Sequence, residues 1–323
     1  MSFSHQVKQE LTSTELTSNC CIHALAYGML LFGRSFSSYD ISLLTKYETV
    51  ANEYLKVCEK DCGIKPTLTI TKSNKYILSF DTLTIRKKVL QEYSCTGKEA
   101  IARINLGNLL NETICEDENL SCCNASFLRG VFLSCGTVCD PDKSYHLEFV
   151  VPFKKLGEDL LRMLEDYELK AKHILRRGVH VIYIKDSSSI EDLLTIMGAT
   201  GSAMEIMSVK MYKDYRNLIN RQTNFDAANI VKTANASYDQ VMAIENIKEN
   251  GLFVTLSQEL KQLAMLRVEH TDASLREIGE MMSPPLSRSA VNNRLNKFIT
   301  MSKKINDEKM MKTQAVCISS EEE

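Results

Sequence analysis

Ser274 to Phe298 reads SLREIGEMMSPPLSRSAVNNRLNKF, a stretch that sets out two helices with a tight turn between them. Ser274 is followed three residues on by Glu277, the spacing at which each side chain satisfies the other's free backbone N–H at a helix start. Ile278 and Met281 carry the apolar side of this short first helix. Ser283, Pro284 and Pro285 stop it, since proline offers no N–H to the helical ladder. Ser287 can cap a longer helix that runs through about Lys304. A short helix, a tight turn and a longer helix make up the helix-turn-helix order.

The longer helix resolves into two sides at about 100° per residue. Val291, Leu295 and Phe298 fall together and are expected in a core. Ser289, Asn293, Asn296, Lys297, Thr300 and Lys304 fall opposite, with Arg288, Asn292 and Arg294 along the border. From Pro284 to Asn306 there are five basic residues (Arg288, Arg294, Lys297, Lys303 and Lys304) and no acidic one. Asn is a poor helix former, so Asn292, Asn293 and Asn296 on a solvent side call for a reason other than helix stability. Arg bonds two acceptors on guanine, and Asn pairs with adenine. Lys and Ser serve phosphates. The span Ser274–Lys304 is therefore expected to bind double-stranded DNA, with Ser287–Lys304 as the reading helix. The plainer alternative is a solvated face that happens to be basic.

Upstream, two more helices are legible. Ser257 can cap one in which Leu260, Leu263, Ala264 and Val268 form a stripe. Before it, Ala234 to Asn250 is expected to turn Tyr238, Val241, Met242 and Ile244 inward, with Gly251 at its end. Further back, Asn217, Asn220 and Asn224 are spaced i, i+3, i+7, with Arg216 and Arg221 beside them; Asn229 and Lys232 continue the theme. Arg216, Asn217, Asn220, Arg221 and Lys232 are thus secondary DNA-contact candidates. Their other reading is a linker helix whose amides satisfy hydrogen bonds between domains.

The first two hundred residues have a different texture. Helix-like Ala24 to Phe32 is followed by strand-like DISLLTKY (Asp40 to Tyr47), a helix Glu48 to Cys62 closed by Gly63, and strands TLTIT (Thr67 to Thr71) and YILSF (Tyr76 to Phe80). A helix near Leu83 to Glu92 comes next. The order then recurs: helix Ala125 to Ser134, strand YHLEFVV, amphipathic helix Lys154 to Tyr167, strand VHVIYI and helix Ser188 to Met197. Gly33 and Gly136, 103 residues apart, open the same sequence of elements, which predicts an internal duplication about a pseudo-twofold axis. The fold class is mixed α/β: a duplicated domain, followed by an all-α helix-turn-helix domain. The expected divisions are a first repeat over 1–105, a second over 106–209, a linker helix with the helix-turn-helix over 210–306, and a disordered acidic tail over 307–323 ending in Glu321, Glu322 and Glu323.

Composition narrows the field. The 323 residues are 44% hydrophobic and 25% charged, an ordinary globular balance, and the net charge of −2 hides the local basic face. No apolar run reaches the roughly 18 residues of a membrane helix, and the polar start MSFSHQVKQELTSTEL has no secretory core, so a cytoplasmic, nucleoid-associated protein is expected. The 11 cysteines sit in apolar runs, two pairs of them adjacent (Cys20 with Cys21, Cys122 with Cys123), and read as reduced packed thiols. The six histidines show no metal or triad spacing, and no GxxxxGK[ST] phosphate loop occurs. Neither a cofactor nor a metal is expected.

Three stretches together resemble the WhiA family of bacterial regulators: FLRGVFLSCGTV followed by DPDKSYHLEF (Phe127 to Phe149), YRNLINRQTNFDAANIVKT (Tyr215 to Thr233) and SLREIGEMMSPPLSRSAVNNRLNKF (Ser274 to Phe298). The resemblance implies an N-terminal fold similar to LAGLIDADG homing endonucleases and a helix-turn-helix similar to region 4 of sigma factors. It also implies transcription regulation linked to sporulation, cell division and chromosome segregation. In LAGLIDADG enzymes two helices cross at the pseudo-twofold axis, each ending in an acid followed by Gly, and the two acids hold divalent metal. The corresponding runs here are LAYGMLLFG (Leu25 to Gly33) and LRGVFLSCG (Leu128 to Gly136), with Phe32 and Cys135 at the acid positions. Neither offers the hard oxygen that Mg²⁺ requires, and Asp140 and Asp142 lie beyond the helix end. Ala26, Gly28 and Gly130 let the helices approach closely.

The expectation is therefore no enzyme, no catalytic residue and a scaffold without its nuclease chemistry. Two alternatives stand beside it: a metal-dependent DNA endonuclease, and an architectural protein that recruits RNA polymerase or a division protein. Basic runs at Arg86, Lys87, Lys88, Arg176 and Arg177 are either further DNA contacts or solvated surface. The duplication makes a partner subunit unnecessary without forbidding one.

Overall fold

Two helices that are apolar on nearly every side lie at the centre of the N-terminal half, as such helices must. In the computed structural model they are α2 (Asn19–Leu31), buried from Cys20 to Leu31, and α6 (Ser121–Cys135), buried over Ser126 to Leu133. The structure describes residues 2–16, 18–95, 97–98, 102–110 and 121–319. It divides into two units, Met1–Asp214 and Tyr215–Glu323.

In the first unit each central helix leads into the same succession. After α2 come β1 (Ser35–Phe36), β2 (Ile41–Thr45), α3 (Glu48–Cys62), β3 (Thr67–Ile70), β4 (Tyr76–Ser79) and α4 (Leu83–Glu92). After the short α5 (Leu106–Leu110) and α6 come β5 (Gly136–Val138), β6 (Leu147–Val151), α7 (Lys154–Asp166), β7 (Ala171–Arg176), β8 (Val179–Ile184) and α8 (Ser187–Met197). The sheets are antiparallel with matching orders, β1-β2-β4-β3 and β5-β6-β8-β7. Corresponding registers pair Leu43 with Leu78 and Phe149 with Ile182, all four buried. The duplicated fold is thus present strand for strand.

Local chemistry explains the boundaries. Gly63 at φ 64° and Gly198 at φ 95° end α3 and α8 in the left-handed conformation that glycine adopts without a Cβ penalty. Where α2 and α6 cross, a Cβ built on Gly28 meets the Phe127 carbonyl oxygen, and one on Gly130 meets the Leu25 carbonyl oxygen. The first helix, α1 (Phe3–Ser13), is absent from the sequence reading because its polar residues mask the buried stripe Phe3, Val7 and Leu11. Strand β7 was equally hidden, since most of its residues are exposed.

The C-terminal unit departs from the sequence reading in three places. The expected linker and the helix from Ala234 are one helix, α9 (Thr200–Glu249), which also takes in most of the small-residue connector at Gly198 to Ser202. No Gly or Pro interrupts it between Ser202 and Gly251. Second, Tyr238 and Met242 face solvent; the buried side carries Ser237, Gln240, Ala243, Ile244 and Ile247. Third, the tail expected to be disordered from 307 continues, through Ser319, as part of α12 (Arg288–Ser319), and its three final glutamates lie outside the described residues. A 3-10 turn (Leu252–Thr255), α10 (Gln258–Glu269) and α11 (Leu275–Met281) complete the unit.

Candidate nucleic-acid interface

Eleven buried residues form the core of the C-terminal unit, among them Ile244 and Ile247 of α9, Leu263 and Ala264 of α10, Ile278 of α11, and Val291, Leu295 and Phe298 of α12. The turn between α11 and α12 closes on Gly279. The Leu286 amide donates to the Gly279 carbonyl at 2.9 Å, and a Cβ at Gly279 would strike the Leu286 carbonyl. Ser274 and Glu277 form the reciprocal cap at the start of α11, and those bonds hold the Glu277 carboxyl below its usual range. Ser287 accepts from the Ala290 amide at 3.3 Å and caps α12. One partner was invisible in the sequence. Arg267, 2% exposed, donates to the Ala273 carbonyl at 2.6 Å and props the loop into α11.

This packing fixes which side of α12 faces outward. Val291, Leu295 and Phe298 are fully buried, whereas Arg288, Ser289, Asn293, Asn296, Lys297, Thr300 and Lys304 are exposed. Asn292 and Arg294 are half-buried at the border. Arg294 donates to Glu259 of α10 at 3.1 Å. Asn293, Asn296, Lys297, Thr300 and Lys304 line one shallow groove along the helix. A second groove of about 520 Å³ brings Arg288 and Asn292 of α12 beside Arg276 of α11 and Asn229 and Lys232 of α9. Lys232 thus lies beside the exposed side of α12, as does Arg276, which sequence reasoning had left out. Arg276 is held by Glu280 at 3.0 Å.

Arg216, Asn217, Asn220 and Arg221 lie on exposed turns of the same α9. From Arg221 to Lys232 is eleven residues, roughly 16 Å of helix, and the structure does not bring these four to the α12 grooves. Farther along, Asn246 of α9 donates to Ser302 at 2.7 Å and to Asn306 at 3.1 Å, which ties the middle of α12 to α9.

In the first unit the two acid positions are occupied as the sequence implied. Phe32 is buried and meets Phe127 edge-on at 6.0 Å, and Cys135 is half-buried. Near the Cys135 position stands a buried cation that sequence reasoning missed. Lys8 is 3% exposed, donates to the Leu133 carbonyl at 2.9 Å, and sits over the rings of Tyr47 and Phe132 at 5.2 and 5.6 Å. Burial lowers its pKa to about 8. This donor set, a phenyl ring, a thiol and an ammonium, does not fit a hard divalent cation. Of the basic runs, Arg86 donates to the carbonyls of Ser38, Phe80 and Asp81, and Arg176 pairs with Glu148 at 3.1 Å. Lys87, Lys88 and Arg177 are exposed.

Two family models match the chain: the WhiA LAGLIDADG-like domain over residues 124–216 and the WhiA C-terminal HTH domain over 219–302. A probable cell division protein WhiA of Ruminiclostridium cellulolyticum is 36% identical over 315 residues, covering 94% of this chain and 98% of that protein. The chain belongs to the WhiA family. A second WhiA relative, from Caldicellulosiruptor bescii, is 34% identical over 92% of this chain and 94% of that protein. The crystal structure of full-length DUF199/WhiA from Thermotoga maritima matches with a TM-score of 0.55 and 22% identity, over 94% of this chain and 99% of that one, so the two share a fold. The WhiA HTH model takes in the capping box, the Gly279 turn and α12 up to Ser302. No helix among the described residues is long and apolar enough to cross a membrane.

Proposed function

We propose that this WhiA-family chain is a sequence-specific DNA-binding transcription regulator acting in cell division, chromosome segregation and sporulation, and that Arg288 to Lys304 of α12 enters the major groove. The observation that carries this reading is the division of α12: its apolar side is fully buried, and the opposite side offers amides and cations with no acid from Pro284 to Asn306. In this reading Asn292, Asn293, Arg294 and Asn296 contact base edges. Arg288, Ser289, Lys297 and Lys304 serve phosphates, and Lys232 adds a contact from α9. Arg216, Asn217, Asn220 and Arg221 form a second, separate contact along α9. The name carried by the relatives supports the link to cell division, and DNA binding would place the chain at the nucleoid. The domain divisions proposed are two LAGLIDADG-like repeats followed by the helix-turn-helix, with the repeats as a scaffold that performs no cleavage and needs no catalytic cofactor. RNA polymerase or a division protein is the partner class such a scaffold suits.

Genome-wide mapping of bound sites, followed by binding assays on the enriched sequences, tests the reading. Enrichment of a common motif that Asn293→Ala abolishes is expected. Equal binding of enriched and random duplex by the wild type would remove sequence specificity from the proposal.

A further inference from the structure

Cys20 and Cys21 lie in the first turn of α2, and Cys122 and Cys123 in the first turn of α6. Because the two helices are pseudo-symmetric and cross, pairs about a hundred residues apart in the chain arrive at one place. All four sulfurs lie within 4.8 Å of one another, and those of Cys122 and Cys123 are 3.8 Å apart. Four thiolates at the corners of a tetrahedron, each ~2.3 Å from a central zinc, are themselves ~3.8 Å apart. The observed spread therefore closes on one ion if the widest sulfur–sulfur separation shortens by about 1 Å, roughly half of that for each sulfur. A cluster of several iron atoms distributes its thiolates over different metals and needs a wider spread.

We propose that Cys20, Cys21, Cys122 and Cys123 form a structural zinc site that clasps the N-terminal ends of α2 and α6. Cys20, Cys21 and Cys123 are buried and Cys122 is exposed, which gives the ion a route in. Four thiolates around Zn²⁺ carry a net charge of −2. The positive ends of two helix dipoles face that charge, and Arg129, whose guanidinium donates to the Met197 carbonyl at 2.7 Å, interacts electrostatically with Glu53 and, less strongly, with Cys21. The Ser126 hydroxyl donates to the Cys122 carbonyl at 2.9 Å and so holds the backbone that carries one of the four ligands. Binding exchanges four thiol protons for one Zn²⁺ with no change of oxidation state. From Cys21 to Phe32 is eleven residues, roughly 16 Å of helix, so this site is separate from the position where a nuclease would hold its metal. The sequence hid it because neither adjacent pair shows the usual two-to-four-residue ligand gap.

The full-length chain, reduced and loaded with Zn²⁺ alone, should retain about one zinc per molecule after desalting. Cobalt loading should give the thiolate charge-transfer and d–d bands of a tetrahedral centre. Cys122→Ser, at the exposed corner, should lose the bound zinc with its far-UV circular dichroism unchanged, while Cys139→Ser should keep it. If Cys122→Ser fails to fold, the cobalt spectrum of the wild type decides on its own. A reduced wild type that stays zinc-free and gives no tetrahedral cobalt spectrum overturns the proposal. So does a folded Cys122→Ser that binds as much zinc as wild type.

Discussion

Gly28 of α2 and Gly130 of α6 face each other so closely that neither has room for a methyl group: a Cβ on either lies 3.2 to 3.3 Å from the other's Cα and closer still to a carbonyl of the opposite helix. Replacing a helical Gly by Ala ordinarily stabilises by up to about 1 kcal/mol. Here the obstacle is backbone, which yields less readily than a side chain, and overpacking costs ~1–3 kcal/mol. The steric effect wins. Gly130→Ala should lower the urea midpoint of the full chain, while Gly107→Ala, with open space around it, should not. A Gly130→Ala midpoint equal to or above wild type would contradict the close crossing.

Asn293 and Asn296 offer a separation of binding from stability. Both are exposed on a helix, so alanine there should leave the thermal midpoint equal or slightly raised. Specific DNA binding should fall by about 1–3 kcal/mol for each lost base contact. Arg294→Ala should act on both, because it also removes the Glu259 pair; a pair this open to solvent on its Glu259 side contributes only about 0–1 kcal/mol, so the binding loss should exceed the stability loss. Titration of labelled duplex by anisotropy, beside a thermal melt, measures the two quantities. Unchanged affinity in all three variants would mean that another surface reads the DNA.

The contrast between α12 and α9 shows what a single sequence makes legible. On α12 the buried positions are large and apolar and the outward ones polar, so periodicity alone gave the face. On α9 the signal misleads. Tyr238 and Met242 are apolar yet exposed, and the side against the core uses Ser237 and Gln240, polar residues that a hydrophobicity pattern does not place inside. Ser237 donates to the Thr271 carbonyl at 2.5 Å. Continuity of α9 was lost for a related reason: its exposed middle carries no stripe to follow. Arg276 and Lys8 were missed because their surroundings come from elements distant in the chain, and no local rule places Lys8 beside Leu133.

Salt offers a test of the phosphate contacts that does not depend on knowing the operator. Arg288, Lys297, Lys304 and Lys232 together with Ser289 imply roughly 3–5 phosphates, so log K should fall with log salt at a slope near −0.9 per phosphate contacted. Lys297→Ala or Lys304→Ala should each reduce that slope by about one while leaving the preference among sequences intact. The same measurement on Arg221→Ala asks whether the upstream part of α9 touches DNA. A slope unaffected by Arg221→Ala would restrict the interface to the helix-turn-helix.

Lys8 ties stability to pH in a direction opposite to that of a salt-bridged lysine. Its pKa falls from 10.5 to about 8, chiefly because burial penalises the charged form. Between those two values the unfolded chain binds a proton that the folded chain has released, so stability should rise with pH from about 8 to 10.5. Below about 8 both states are protonated and the burial penalty is fully present. A shift of this size corresponds to roughly 3 kcal/mol. Lys8→Met removes the titrating group, so the difference in unfolding free energy between variant and wild type should shrink across that window by about this amount. The bond to the Leu133 carbonyl is also lost, but that loss is the same at every pH and moves only the offset. Urea denaturation at several pH values measures the slope, and parallel curves for the two proteins would show that Lys8 keeps its proton throughout.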